Sequence, residues 1–224
     1  MNGKDYYNLE LKEIERIKAS GVRPRLLMHS CCGPCNSYPI EYLSPIFDLT
    51  LYFNNHNIFP EEEFVRRLNE LKAYVQHYEQ QHHVSINIVI PPYEDPIFNQ
   101  VLAANKDAKE GGNRCKTCYA MRMNEAWQYA SDHGYDYMTT VMTVSRHKDS
   151  VIINEIARRL SKKYPKVAYF YSNFKKNKGM YRSIELSRHF NMYRQSYCGC
   201  VYSYEDSLLR QKRRESVIDN TPEN

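Results

Sequence analysis

The sequence contains no long hydrophobic run and no apolar leader. Its most apolar segments, such as 84–90, are far shorter than the roughly 18 residues that cross a bilayer, and the mean hydropathy is −0.71. The first twenty residues are polar and charged, so they lack the hydrophobic stretch of a secretory signal. A hydrophobic content of 42% disfavours a disordered chain. We therefore expect a soluble, cytoplasmic protein that makes no membrane contact.

Cysteine is absent from most of the chain. The seven cysteines lie in three short motifs, HSCCGPC (Cys31, Cys32 and Cys35), RCKTC (Cys115 and Cys118) and YCGC (Cys198 and Cys200). Cysteines that only pack a core would be scattered among buried apolar positions. Because a reducing cytosol disfavours structural disulfides and seven is an odd number, these thiols are interpreted first as metal ligands or redox groups.

Strand and helix signals alternate along the 224 residues, which predicts an α/β fold with a mostly parallel sheet of about five strands flanked by helices. The β-branched and aromatic residues predict strands at 26–30, 47–53, 84–90, 137–144 and 167–171. Helical spacing predicts helices at 5–19, 36–43, 61–82, 117–133 and 149–162. No domain boundary is visible, so residues 1–224 are interpreted as a single catalytic domain. A polar helix and tail are expected at about 206–224.

The first cysteine motif directly follows the first predicted strand, and a helix-like segment follows the motif. In open α/β sheets, ligands bind at the carboxyl ends of the strands. A helix N-terminus offers free N–H groups and a positive dipole, which lower the pKa of a thiol and suit an anionic cluster. The motif therefore predicts a site at this edge of the sheet.

Ligand type alone does not separate zinc from iron, since structural zinc and iron–sulfur clusters both accept four thiolates. The adjacent pair Cys31 and Cys32 at the end of a core strand favours a reactive cluster over a zinc ribbon. Cys115 and Cys118, which open a predicted helix, could supply the other two ligands of a four-thiolate set. These residue types fit a [4Fe–4S] cluster.

The Cys198-Gly199-Cys200 motif has two interpretations. A single glycine between the thiols gives the chain the freedom to close a tight ring, which suits a redox-cycling dithiol. Alternatively, this pair binds a second metal together with Cys35, or replaces one of the cluster ligands. The residues themselves leave both interpretations open.

The three motifs HSCCGPC, RCKTCYAMRM and SYCGCVYS, in this order, resemble those of the QueH family of epoxyqueuosine reductases. The resemblance extends over nearly the whole chain and implies a HUP-like α/β fold. It also implies the reduction of epoxyqueuosine to queuosine in the anticodon loop of tRNA, the last step of queuosine biosynthesis, without cobalamin. The electrons must come from a donor that no residue pattern identifies.

The same resemblance implies roles for individual cysteines. The implied [4Fe–4S] ligands are Cys31, Cys32, Cys115 and Cys118. Cys198 and Cys200 are implied to be a redox-active pair able to form a disulfide bond. A second, mononuclear iron beside the cluster is also implied, and Cys35 is the best additional candidate ligand.

A basic segment at 172–194 precedes the last cysteine motif. It contains six basic residues and only one acidic residue, Glu185, so its net charge equals that of the entire chain. The basic residues are Lys175, Lys176, Lys178, Arg182, Arg188 and Arg194, and the interleaved aromatic residues are Phe174, Tyr181, Phe190 and Tyr193. This composition suits phosphate contacts and base stacking. Because the segment lies just before Cys198 and Cys200, we expect RNA to bind here. The alternative is a solvated loop and helix face.

Other polar residues lie near the expected edge of the sheet. Residues 54–57 (NNHN) and 145–149 (SRHKD) follow the second and fourth strands, where they could contact polar groups or phosphate of a substrate. His29 lies inside the first strand and is interpreted as a core histidine rather than a proton donor. Tyr119 and Tyr197, next to cysteines, are candidates for proton transfer or substrate contact.

Two alternative functions would use the same residues differently. A tRNA thiolation or nucleotide-activating enzyme of the same broad fold would need a glycine-rich phosphate loop of the S-G-G-x-D-S type after the first strand, but the chain has CCGPC there. A non-enzymatic, zinc-stabilised RNA-binding module would use the thiolates for folding alone, and it would be colourless and redox-silent.

Overall fold

The computed structural model describes residues 1–93 and 95–219, and it confirms the predicted α/β fold. Five parallel strands form one sheet in the order β3-β2-β1-β4-β5. The strands are β1 (Arg25–His29), β2 (Asp48–Tyr52), β3 (Asn87–Val89), β4 (Tyr137–Thr140) and β5 (Ala168–Tyr169). The helices are α1 (Gly3–Ser20), α2 (Gly33–Leu43), α3 (Glu61–His82), α4 (Asp95–Ala103), α5 (Asn113–Asp132), α6 (Ser150–Leu160), α7 (Gly179–His189) and α8 (Val201–Asp219).

The sheet is covered on both faces, as its alternating side chains require. Leu26 and Met28 of β1 pack into one core with residues of α1, α2 and α3, whereas Leu27 packs into a second core with α5 and α6. Among the described residues, no helix combines the length and the apolar character needed to span a bilayer. The expected single catalytic domain stays a prediction, and residues 220–224 of the expected tail lie outside the described residues.

The ends of the elements differ from the prediction in specific places. The fourth predicted strand ends at Thr140, because the chain turns into a short 3₁₀ helix (Val141–Val144) whose Met142 N–H donates to the Thr140 hydroxyl. The third strand is shorter than expected, since it pairs with β2 over only three residues. Helices α4 and α7 were not predicted as helices, and α8 begins earlier than position 206.

The carboxyl end of β1 lies at the centre of the sheet, between β2 and β4. The last residue of β1, His29, pairs with Tyr52 of β2 and Thr140 of β4. The segments that leave these three strands therefore begin beside one another. This topology brings the first cysteine motif, residues 54–57 and the segment after β4 to one edge.

A buried carboxylate on α1 makes the folding free energy pH-dependent. Glu10 is 1% exposed and accepts hydrogen bonds from the Asn173 N–H, at 2.6 Å, and from the Tyr42 hydroxyl. Burial raises the pKa of Glu10 to about 7 in spite of these bonds. Because the folded protein holds this proton more tightly than the unfolded chain, the stabilisation is complete below about pH 4.5 and is lost as the pH rises to about 7.

We therefore expect Glu10→Gln to flatten the pH dependence of stability. The wild-type protein should lose about 3 kcal/mol of unfolding free energy from this group between pH 4.5 and 7, and the variant should not. Urea unfolding at pH 5 and pH 7.5 measures the effect, with the stability of the variant relative to wild type rising at the higher pH. An equal difference between the two proteins at both pH values would contradict this assignment.

Candidate active site

The first cysteine motif forms a compact group of thiols at the carboxyl end of β1. Cys31 and Cys32 connect β1 to α2, and Cys35 lies in the first turn of α2. The three sulfur atoms all lie within 4.8 Å of one another, and 3.8 Å separates Cys31 Sγ from Cys32 Sγ. Cys32 is buried, whereas the other two are partly exposed. Three convergent thiols are a donor set that a metal centre accepts, as predicted for this motif.

The electrostatics of this group favour a thiolate at Cys32. Hydrogen bonds from the Cys31 and Cys35 thiols, and then the charge of Arg67, lower the pKa of Cys32. The hydrogen bond with Cys32 raises the pKa of Cys31 to about 12, and the hydrogen bonds with Cys31 and Cys32 raise the pKa of Cys35. The Gln195 side-chain amide donates a further hydrogen bond to Cys32 Sγ, at 3.2 Å. Cys32 is therefore the sulfur of this group that most favours the thiolate form.

The second and third motifs meet in a closed, apolar cavity. Cys115 and Cys118 lie in the first two turns of α5, as predicted, and they line this cavity together with Cys198 and Cys200. Burial raises the pKa of Cys115 and that of Cys118, the latter to about 12. The structure thus places Cys115 and Cys118 beside the third motif.

A larger, open cavity of about 350 Å³ joins the two groups of thiols. Cys31 and Cys35 line it from one motif, and Cys198 lines both this cavity and the closed one. All three cysteine motifs therefore meet around two adjoining cavities. The charged side chains on the wall of the open cavity are mostly basic: Arg67, Arg122, Arg146, Lys148 and Arg210, with Glu110 as an acid.

Lys148 follows β4 and places a cation among the thiols. Lys148 lies close to the sulfur atoms of Cys198 and Cys31, and a thiolate formed at either sulfur raises the pKa of Lys148 in spite of its burial. The Lys148 carbonyl accepts a hydrogen bond from Lys175 Nζ at 2.5 Å. An ammonium group held on this wall stabilises thiolates and any negative charge that develops on a bound molecule.

The segment around Gly199 is held by backbone contacts. The Phe59 N–H donates to the Gly199 carbonyl at 2.8 Å, and the Gly199 N–H donates to Ser203 Oγ at 3.2 Å. Gly199 has a φ of 142°, and a Cβ there would lie 3.0 Å from Asn57 Nδ2 and 3.2 Å from Ile58 Cγ1. A side chain at this position would be strained, which explains why glycine separates the two cysteines.

The polar residues after β2 hold the site together. Asn54 Nδ2 donates to the Arg122 carbonyl and Asn55 Nδ2 donates to the Ser30 carbonyl, each at 2.9 Å. Asn55 also accepts a hydrogen bond from the Arg122 guanidinium. Asn55 and Asn57 line the open cavity, so this segment both supports and faces the site.

The other single residues have distinct positions. His29 is fully buried, and its Nδ1 lies 2.7 Å from Thr140 Oγ1, whereas its Nε2 has no hydrogen-bond partner among the described residues. Tyr119 is buried on the wall of the open cavity. Tyr197 also lines that cavity, but its hydroxyl donates to the Phe59 carbonyl at 2.6 Å and so braces the chain.

The basic residues of the segment 172–194 lie in two different environments, an ion pair and an open groove. Arg182 makes a bidentate ion pair with Glu41, at 2.7 and 3.0 Å, and so holds α7 against α2. Arg188 and Arg194 instead line an open groove of about 540 Å³ that adjoins the cysteine cavity through Cys35. Arg146 lines the same groove from the segment after β4.

Sequence reasoning missed several residues of the site, because it singled out the cysteines of the motifs and the residues beside them. Arg67, Arg122, Gln195 and Arg210 reach the cavity from α3, α5, the segment before the third motif and α8. One signal was available for Arg67, since it lies with Glu63 among the apolar residues on the buried face of α3. A charged pair on such a face marks a buried contact.

A model of the family described as epoxyqueuosine reductase QueH matches residues 26–206, which include all three cysteine motifs. The chain belongs to the QueH family. This membership confirms the resemblance found in the motifs and makes the protein an oxidoreductase.

Individual relatives agree with the family match, and each is described as an epoxyqueuosine reductase QueH. The relative from Staphylococcus aureus is 38% identical over 205 residues, covering 90% of this chain and 85% of the relative. That from Streptococcus pyogenes serotype M1 is 34% identical over 203 residues, covering 90% and 79%. That from Thermotoga maritima is 29% identical over 199 residues, covering 86% and 95%.

Proposed function

We propose that this protein reduces epoxyqueuosine to queuosine in tRNA with a metal cluster held by its cysteines and with Cys198 and Cys200 as a redox pair. The observation that carries the proposal is the meeting of all three cysteine motifs around two adjoining cavities at the carboxyl edge of the sheet. A thiolation enzyme and a zinc-stabilised RNA-binding module are less well supported, since the family is one of reductases.

The proposed ligands follow the motifs and the chemistry of the donor set. Cys31, Cys32, Cys115 and Cys118 would hold a [4Fe–4S] cluster. The short distances from Cys35 to its two neighbours support Cys35 as the ligand of a second, mononuclear iron. Bound iron would supply electrons one at a time and a Lewis acid for oxygen. Reduced thiols are kept in a reducing compartment, which supports a cytoplasmic location.

The chain's own thiols can balance the reaction. Epoxide reduction breaks two C–O bonds, forms an alkene and releases the oxygen as water, which consumes two electrons and two protons. Closure of Cys198 and Cys200 to a disulfide releases two electrons and two protons. An external two-electron donor then returns the pair to the dithiol. Lys148, on the same wall, would stabilise the negative charge that develops on the epoxide oxygen.

Anaerobic purification tests the proposal directly. Iron and sulfide analysis should give roughly four sulfides with four or five irons per chain, and a broad visible band should bleach with dithionite. The same protein should convert epoxyqueuosine to queuosine in tRNA, detected by nucleoside mass spectrometry. A colourless protein that contains stoichiometric zinc and does not turn over would contradict the proposal.

The groove beside the cavity suits the phosphate backbone of the RNA. Arg188 and Arg194 are exposed there, and they can contact phosphates that flank a base placed in the cavity. We expect the double variant Arg188→Gln/Arg194→Gln to raise KM for tRNA about tenfold and to leave kcat within about twofold. The slope of log KM against log salt concentration should fall by roughly 1.4, because each phosphate contact to a single strand contributes about 0.7 to this slope.

Two exposed arginines on α6 provide a matched control. Arg158→Gln/Arg159→Gln removes the same charge at a position that lines neither cavity. The control should keep the wild-type KM and salt slope. Equal changes in both double variants would show that only the net charge of the protein matters.

A further inference from the structure

A buried arginine on α3 belongs to none of the cysteine motifs but contacts one of them. Arg67 is 2% exposed, and its Nε donates to Glu63 Oε1 one helical turn earlier, at 2.7 Å. Glu63 is 9% exposed and also accepts a hydrogen bond from the Tyr193 hydroxyl at 3.0 Å. A buried ion pair costs desolvation free energy, so it is weak evidence for stability and needs another explanation.

The remaining nitrogens of Arg67 are directed at the backbone of the third motif. Nη1 donates to the Cys198 carbonyl at 2.9 Å, and Nη2 donates to the Tyr197 carbonyl at 3.3 Å. The guanidinium also lies 5.1 Å from the centre of the Tyr197 ring. One rigid, planar group thus connects α3 to two successive peptide units, a geometry that a lysine cannot reproduce.

The contacts around Arg67 decide where the Cys198 thiol lies. The next carbonyl, that of Gly199, is held by Phe59, so three successive peptide units are tied to the region of α3. Cys198 is held on the wall shared by the two cavities, and both thiols of the pair are free in this arrangement. Without the guanidinium, the carbonyls of Tyr197 and Cys198 would lose these hydrogen bonds, and the segment would be held by the Gly199 contacts and by the Tyr197 hydroxyl.

We propose that Arg67 is a positioning residue for the redox pair: it fixes the backbone at Tyr197 and Cys198 so that the Cys198 thiol stays on the cavity wall in the dithiol form. This inference rests on the proposed redox role of the pair. Arg67 acts on the redox pair through the peptide backbone. Release of the backbone would allow the segment to adopt other conformations, including those in which the two sulfurs are bonded.

Arg67→Lys tests the proposal through a thiol–disulfide equilibrium. The anaerobically purified protein is equilibrated with glutathione buffers. The two thiols lose two hydrogens and form one disulfide, while one glutathione disulfide is reduced to two glutathione molecules. Maleimide trapping and mass spectrometry then measure the oxidised fraction of Cys198 and Cys200. We expect Arg67→Lys to shift this equilibrium about tenfold towards the disulfide, and kcat to fall about tenfold with little change in KM.

Two further variants separate positioning from general destabilisation. Glu63→Gln keeps both bonds from Arg67 to the carbonyls, so its equilibrium should stay near the wild-type value even if its Tm falls. Glu63→Gln/Arg67→Gln removes both charges without leaving one buried alone, and it should shift the equilibrium as Arg67→Lys does. The exposed Arg158→Lys is the matched control for the substitution itself.

Two results would overturn the proposal. The first is an unchanged thiol–disulfide equilibrium in both Arg67 variants. The second is a shift in Glu63→Gln as large as that in Arg67→Lys. Neither result depends on turnover. Failure of the proposed redox role would appear separately, as full activity of a Cys198→Ser protein.

Discussion

Cys32→Ser is expected to abolish both cluster binding and reductase activity. Cys32 is buried, accepts hydrogen bonds from three neighbouring side chains, and is the sulfur of its group whose thiolate is favoured. Serine replaces this soft anion with a neutral hydroxyl that binds iron poorly. Loss of residues that merely support a ligand already costs 10–100-fold, so removal of the ligand should lower turnover by more than about 100-fold.

Iron and sulfide content, measured together with conversion of epoxyqueuosine in tRNA, checks this expectation. Cys35→Asp is the matched control within the same group, because aspartate retains an anionic ligand for the second iron. It should keep its sulfide content and most of its iron. A Cys32→Ser protein with the wild-type iron and sulfide content would remove Cys32 from the ligand set.

Cys198→Ser should lose turnover as Cys32→Ser does, but it should retain the cluster. Cys198 lines both cavities, and Cys200, two positions later in the chain, is 9% exposed. If the pair delivers two electrons and two protons, a single remaining thiol cannot close a disulfide, and turnover should fall by at least about 100-fold. The KM for tRNA should not change.

A single-turnover assay isolates this step. Reduced enzyme, freed of excess reductant under anaerobic conditions, is mixed with tRNA that bears epoxyqueuosine. Wild-type protein should form queuosine and become oxidised at Cys198 and Cys200, whereas Cys198→Ser and Cys200→Ser should form none. Loss of iron in either serine variant would instead favour the alternative in which this pair binds metal.

The sequence was sufficient to predict the architecture, because the patterns involved are local. The β-branched and aromatic residues predicted five strands. Helical spacing predicted helix α3 at 61–82, where Pro60 and three glutamates mark its start. Local patterns failed where tertiary contacts decide the outcome. Helix α7 was not predicted, because its segment is rich in basic residues. In the structure, the ion pair of Arg182 with Glu41 connects α7 to α2.

For the site, the sequence by itself determined the three cysteine motifs, the place of the first motif at the carboxyl end of a strand, and the resemblance to the family. Only the tertiary structure decided which groups meet. It placed Cys115 and Cys118 beside Cys198 and Cys200, and it divided the basic segment into paired and groove-lining residues. It also brought Arg67 from a distant helix to the Cys198 carbonyl, 131 positions away. Spacing along a chain constrains near neighbours, whereas contacts at such separation arise only when the sheet and helices pack together.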